Sequence, residues 1–323
     1  MPVGSSPEIV SGKVRWYALV ALLILATTMA EFLTGSTLIQ TALTFPPGFA
    51  ILIGMYGGGA LLIREAALRW GKRWGAVLLL GGAYAVGEEG FGAKTLVDPV
   101  GSNIGNQLYT HFAGINWVPL AALTVFHAAF SIAVPLVLME LIFPETKGRP
   151  LVGRKGLAIT APVYVLAIFL VSKGDPYVTP PAATLFLAVY ASAFVIAAYL
   201  VPKNFFTAAR ERPDWSGRRF ILLGVGFLGG FFLVDVLGAH FLPWPVAAAM
   251  FVPLVALAAW ALVNHAGRTG NEMAKVNFVL GMVLVFVPID VIQEVNGDEG
   301  VLVYTALILV LIIWIRRRIP LGV

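Results

Sequence analysis

The stretch WVPLAALTVFHAAFSIAVPLVLMELIF, residues 117–143, carries one formally charged side chain, Glu140, and that residue lies close to its end. As a helix rising about 1.5 Å per residue, the stretch is longer than the roughly 30 Å hydrocarbon core of a bilayer. A helix that is apolar on every face has no use for water. The stretch therefore predicts a membrane-spanning helix with a single histidine, His127, near its middle.

Nine segments of the same kind surround it: 16–38, 48–65, 75–94, 156–172, 182–201, 219–242, 246–264, 275–294 and 300–316. Pro, Gly and charged residues separate them, as at Pro46-Pro47, Trp74-Gly75, Gly174-Asp175-Pro176 and Asn296-Gly297. The composition agrees. Of 323 residues, 59% are hydrophobic and 12% charged, against about 25% charged in a soluble domain. Nucleic-acid binding and soluble metabolic chemistry are excluded on that balance, and the lipid bilayer is the expected surrounding. Cysteine is absent, which removes disulfides, thiolate nucleophiles and Cys-ligated metals. The expected fold is an all-α polytopic membrane bundle of about ten helices. Residues 1–12 form a short tail and 13–323 a single transmembrane domain. The longest link, 95–116, has room for a short interfacial helix.

Ten spans give a strong charge partition. Only Lys94 and Lys173 of the 22 Lys and Arg residues fall on one side. The positive-inside rule then places both termini in the cytoplasm of a multi-pass cell-membrane protein. The +5 net charge is thereby explained by orientation, with no polyanion partner required.

Ionisable groups inside a membrane cost at least about 2.5–3.5 kcal/mol each, so each needs a reason. Glu31, Glu88, Asp235 and Asp290 all fall about 20–24 Å from the cytoplasmic face, and His127 about 15 Å from the opposite one. Shared depth predicts one polar pocket open to the outer side. The alternative is a set of separate helix–helix hydrogen bonds. Glu140, His240, His265 and Glu294 lie near helix ends, where snorkelling accounts for them.

Glu88-Glu89 is the most informative pair. Adjacent helical residues point about 100° apart, so one can line a cavity while the other faces a neighbouring helix. Paired carboxylates suit general acid–base chemistry or proton carriage. His127 and Ser131 share a helix face. A lone buried histidine is most often a satisfied core residue; beside two carboxylates it becomes a site candidate. Glu88, Glu89 and His127 are the catalytic candidates. Glu31, Asp235 and Asp290, together with Glu88 and His127, are candidate ligands for a divalent metal such as zinc or manganese.

A further pattern is internal. Residues 30–35 (AEFLTG) are similar to 234–238 (VDVLG), and Glu31 and Asp235 lie 204 positions apart, Glu88 and Asp290 202. This predicts four-helix parallel repeats flanking a central hairpin, unless low-complexity helices match by chance. Gly57-Gly58-Gly59 and Gly229-Gly230 are expected close-packing positions.

Glu88-Glu89 on one span, followed by His127-x-x-x-Ser131 on the next, resembles the CPBP family of intramembrane proteases, the CAAX-processing and bacteriocin-processing enzymes. That family shows Glu-Glu-x-x-x-Arg, then Phe-x-x-x-His, then His-x-x-x-Asn or Asp. Here Ala93 stands at the Arg position with Lys94 one residue late, Ser131 stands for Asn, and Gln107 stands four before His111. The likeness covers residues 86–131 and implies carboxylates and a histidine that activate water. CAAX-processing members work on the cytosolic side, whereas the charge partition puts this pair in the outer half. Two functions fit: an intramembrane hydrolase or lipid- or prenyl-modifying enzyme, and a proton-coupled transporter of a small molecule.

Overall fold

The computed structural model describes residues 12–100, 107–203, 205, 213–266 and 272–319; of these, the side chains of 107, 108, 237, 239 and 240 are not described. The remaining residues, including most of the amino-terminal tail and Arg210, Arg212 and Arg268, lie outside the described set.

The chain is an all-α polytopic membrane bundle of eleven described helices. They are α1 (Gly12–Glu31), α2 (Ile39–Thr44), α3 (Pro46–Arg69), α4 (74–92), α5 (Trp117–Ile142), α6 (Arg154–Ser172), α7 (Pro181–Leu200), α8 (Gly217–Phe241), α9 (Trp244–His265), α10 (Glu272–Val295) and α11 (Val301–Arg318). Eight of them, α1, α3 and α5–α10, are long and apolar enough to cross a membrane. The other two expected spans are also helical. Helix α4 contains the diglutamate, and α11 ends on Arg316-Arg317-Arg318.

The first span is shorter than expected. Helix α1 stops at Glu31, not at residue 38. Thr34 Oγ1 donates to the Ala30 carbonyl at 2.6 Å, Ser36 N–H donates to Thr34 Oγ1, and Gly35 turns the chain at φ +73°. Local hydroxyl bonds of this kind compete with helix continuation. Glu31 thus sits at a helix end, where its carboxylate is free to turn inward.

Link 95–116 also departs from expectation. Among its described residues it holds no interfacial helix but a 3₁₀ turn (Gln107–Thr110) and a tiny hairpin, β1 (His111–Phe112) against β2 (Ile115–Asn116). Ala113 and Gly114, both with positive φ, make the two-residue turn, as a tight hairpin requires. Asn116 fastens it: its side-chain amide donates to the Thr95 and Asp98 carbonyls, each at 2.8 Å.

Helix α5, the stretch on which the fold turns, has 72% of its apolar window inside the bundle, the highest share of those eight. It packs on α1, α4, α8, α9, α10 and α11. By contrast α6 buries one residue, Ala167, and α7 buries Ala183, Leu187 and Ala198. Their large exposed side chains, such as Val163, Leu166, Phe169, Leu185 and Tyr199, suit lipid.

The two halves pack in different orders. Helix α1 packs on α5, the fourth of its set, whereas α8 packs most extensively on α10, the third of its own. The likeness of 30–35 to 234–238 is therefore not matched by a common neighbour order. The α8–α10 crossing is very close. A Cβ added at Gly281 would lie 2.0 Å from the Ile221 carbonyl oxygen, and one at Gly224 2.1 Å from that of Phe278. Missing side chains let membrane helices approach backbone to backbone. On α8 the backbone contact falls to Gly224; of the expected pair, a Cβ at Gly230 would lie 3.0 Å from Leu254 Cδ1 and one at Gly229 would meet nothing within 4 Å. On α3, Gly57 and Gly59 act as expected, abutting Leu23 and Tyr84.

The links also sort as the charges predicted. Arg69 reaches the Val152 carbonyl, Lys72 the Val201 carbonyl, and Lys147 pairs with Glu272, so the basic links meet at one end. Partial burial, then the nearby Lys275, holds the Lys147 ammonium below the usual lysine range. At the other end Lys94 bonds the Asp175 and Tyr177 carbonyls, and Gln40 bonds that of Glu299.

Overpacking a tight helix contact costs about 1–3 kcal/mol. Gly281→Val should lower stability in mixed-micelle unfolding by at least that amount. Gly229→Ala should stay within about 0.5 kcal/mol of the parent, as open surface positions do. Equal stabilities of the two variants would contradict the close crossing.

Candidate functional site

Three consecutive spans around the bundle centre each contain a π-helical segment: Ile53–Gly57 in α3, Val86–Gly92 in α4 and His127–Ala133 in α5. Each segment supplies a polar residue to one place. Tyr56 comes from the first, Glu88 and Glu89 from the second, and His127 from the third. Such π segments insert a residue into a helix, re-aim its side chains and occur often at functional sites.

The insertion resolves the angular problem of two adjacent glutamates. Both reach the same imidazole, one on each nitrogen. Glu89 Oε1 lies 2.9 Å from His127 Nε2, and Glu88 Oε2 lies 3.1 Å from His127 Nδ1. The Tyr56 hydroxyl donates to the other oxygen of Glu88. Glu31 closes the group from α1: it accepts the Thr37 hydroxyl at 2.5 Å and interacts with Tyr56, Glu89 and His127. Glu31, Tyr56, Glu88, Glu89 and His127 are all buried, with Glu89 the most exposed at 8%.

Close backbone approaches make the convergence feasible. A Cβ at Gly81 would lie 2.7 Å from Ala128 Cα, so α4 rides directly on the π segment of α5. Gly57 does the same for α3 on α1, with Leu23 Cα at 2.8 Å. Aromatic rings line the rest of the site. The rings of Tyr56 and Tyr84 lie 6.5 and 5.9 Å from that of His127, and Tyr164 of α6 lies 6.1 Å from Tyr84.

Of the residues singled out in the sequence, the structure brings together Glu31, Glu88, Glu89 and His127. It does not bring in the other two. Asp290 is fully buried but accepts the Thr305 hydroxyl across the α10–α11 contact, and half-buried Asp235 on α8 has Tyr109 as its charged-state neighbour. Similar depth on helices of the second half did not bring equal azimuth. Near the helix ends, Glu140 faces Arg64 at 3.7 Å, His265 stacks on Trp215, and Glu294 accepts the N–H groups of Gly300 and Leu302 at the start of α11. The His240 side chain lies outside what the structure describes. Ser131 is buried with no hydrogen-bond partner. Lys94, beside the position of the protease arginine, turns away to the α6–α7 loop.

Two features had not been singled out. Tyr56 sits in Gly54-Met55-Tyr56-Gly57, a glycine-flanked tyrosine that could have drawn notice. Glu65 is fully buried at the opposite end of α3. It binds Arg64 at 3.1 Å, pairs with Arg69 and accepts Leu151 N–H at 2.7 Å, while Arg64 also reaches the Thr146 carbonyl. This cluster clamps α3 to the loop after α5.

The residues also fit a metal ion by type and placement. Glu88, Glu89 and His127 can each offer a ligand atom, and these atoms lie within 4.8 Å of one another.

The molecule is thus a multi-pass membrane protein whose first five spans enclose a buried glutamate–histidine centre. Residues 20–316 match the Uncharacterized membrane protein family, and the chain belongs to it. No curated protein and no solved structure matches the chain, and the family that matches is not that of the CPBP proteases.

Removing one partner from a buried ion pair costs about 3–5 kcal/mol because the other charge is left uncompensated. Glu65→Ala should therefore destabilise the protein by that order in thermal or chaotrope unfolding. A change under about 1 kcal/mol would show that the clamp is dispensable.

Proposed function

We propose that this protein is an intramembrane hydrolase acting on a lipid-borne, prenyl or peptide substrate. The observation that supports this best is His127 held between the two glutamates, with the Tyr56 hydroxyl on the outer oxygen of Glu88. An imidazole bonded by Glu89 at Nε2, with a second carboxylate 3.1 Å from Nδ1, is oriented for proton transfer in a way that a core histidine is not.

In this reading one carboxylate takes a proton from water while the water oxygen bonds to the electrophilic carbon of the substrate. The same carboxylate passes that proton to the leaving oxygen or nitrogen as the bond to it breaks, and His127 orients the carboxylates for both transfers. Tyr56 holds Glu88 in place. The basic links gathered at one end of the bundle favour cytoplasmic termini, and substrate would then enter from the outer half. The resemblance of Glu88-Glu89 and His127 to the intramembrane proteases supports the same chemistry.

Reconstituted vesicles containing host lipid extract and a prenylated peptide pool, incubated in heavy-oxygen water, test this. Wild-type protein should yield a product carrying the heavy oxygen. His127→Ala and Glu89→Gln should lower its rate about 10²–10⁴-fold, the usual share of general acid–base groups. Asp290→Asn should retain it. Product formation that is absent from wild type, or unchanged in His127→Ala, would rule the reading out.

A second reading has its own support. Tyr56, Glu88, His127 and Glu89 form an unbroken chain of polar contacts, which is also a proton path for a coupled transporter. The chain has no native cysteine, so Phe91→Cys, beside the diglutamate, reports access cleanly. Labelling from both membrane faces would favour transport; labelling from the outer face alone favours the hydrolase.

A further inference from the structure

We infer that Glu88 and His127 hold a divalent first-row metal ion of the zinc or manganese class, with Glu89 orienting the imidazole. The inference deepens the proposed reading of the same centre, but its own grounds are structural.

The first ground is unbalanced charge. Two carboxylates, Glu88 and Glu89, meet one imidazole, Glu31 lies beside Tyr56, and among the described residues no Lys or Arg pairs with any of the three. The molecule treats buried charge differently elsewhere. Glu65 is surrounded by Arg64 and Arg69, and Glu140 faces Arg64. A buried cluster of like charges calls for a cation.

The second ground is unpartnered atoms. Glu88 Oε2 and His127 Nδ1 are fully buried and make no hydrogen bond, although only 3.1 Å separates them. Buried polar atoms without a partner are rare and point to a missing ion or water. Ligand atoms that share an ion at about 2.0–2.2 Å sit roughly 3 Å from one another.

The third ground is the outer contacts. Glu89 Oε1 faces His127 Nε2 at 2.9 Å. If Nε2 donates there, Nδ1 is left bare to act as a ligand, the usual carboxylate–histidine–metal arrangement. The Tyr56 hydroxyl fixes Glu88 in turn. Imidazole with carboxylates selects zinc, manganese or iron over soft-ligand metals, and no cysteine is present to reverse that choice.

Metal content tests this without any activity assay. Chelator-stripped full-length protein in detergent is dialysed against zinc chloride or manganese chloride and analysed by mass spectrometry for metal. Wild type should retain about one ion per chain, and His127→Ala and Glu88→Gln should lose it. Cobalt(II) loading should give wild type a visible ligand-field absorption that His127→Ala lacks. Should those variants fail to fold, Tyr56→Phe keeps every ligand and should weaken binding about 10–100-fold. Wild type that retains no ion overturns the inference, as does a monodisperse His127→Ala that retains the full complement. Either result leaves a metal-free carboxylate base available to the hydrolase. Conversely, a bound ion without hydrolysis would refute the activity and not the site.

Discussion

A charge in the interior of a bilayer must be compensated where it stands, because no water is there to solvate it. The His127 contacts to Glu88 and Glu89 are this protein's main answer to that constraint, and much of the first half is organised around them. The two glutamates are adjacent in sequence and a regular helix would splay them. The π segment of α4 lets both meet one ring, and the π segment of α5 begins at the histidine they meet. Helix α3 adds its own π segment to bring Tyr56 to Glu88. Each departure from regular geometry costs some helix stability. Three departures on neighbouring spans, converging on one point, are difficult to explain as packing accidents.

The division of labour between the halves follows. Spans α1, α3, α4 and α5 carry the centre with α6 lining it, while α8–α11 brace α5 from behind. The polar residues of the second half are mostly tied across helix pairs: Asp290 with Thr305, Tyr304 with Thr28, Gln293 with the Thr34 carbonyl. Such bonds are worth little individually in membranes, but they set which faces meet. The close α8–α10 crossing through Gly224 and Gly281 makes that half a rigid backing. Helix α5 stands between the two, which is why so deeply buried a span carries the histidine.

Much of this was legible in the sequence. Apolar length gave the helices, since a span is a property of some twenty consecutive residues. Lysine and arginine placement gave the sorting of the links, since charge is read residue by residue. Glu88, Glu89 and His127 stood out because ionisable groups are rare in such segments. What was not legible was azimuth. Asp235 and Asp290 share depth with Glu88, yet depth follows from counting residues, whereas facing depends on helix rotation and on π insertions that no periodicity announces. Glu31 could be placed on the right helix but not at its end, because the stop depends on hydroxyl bonds from Thr34 and Thr37 that form only after folding. Tyr56 escaped notice for a related reason: a tyrosine in a membrane span is ordinary until a carboxylate is found opposite it.

The comparison of Glu65 with Glu88 shows how burial alone fails to mark a site. Both are buried glutamates on neighbouring spans. Glu65 has two arginines and a backbone amide, a complete set of partners for a carboxylate, and it sits where a loop must be held to a helix end. Glu88 has a tyrosine, a shared histidine and an oxygen without a hydrogen bond. A structural ion pair gains by satisfying every lone pair, because any left over is paid for in desolvation. A reactive centre instead needs capacity in reserve for what it will bind. The residual valence at Glu88 and His127, set against the saturation at Glu65 in the same bundle, is therefore what separates the two glutamates, and burial is not.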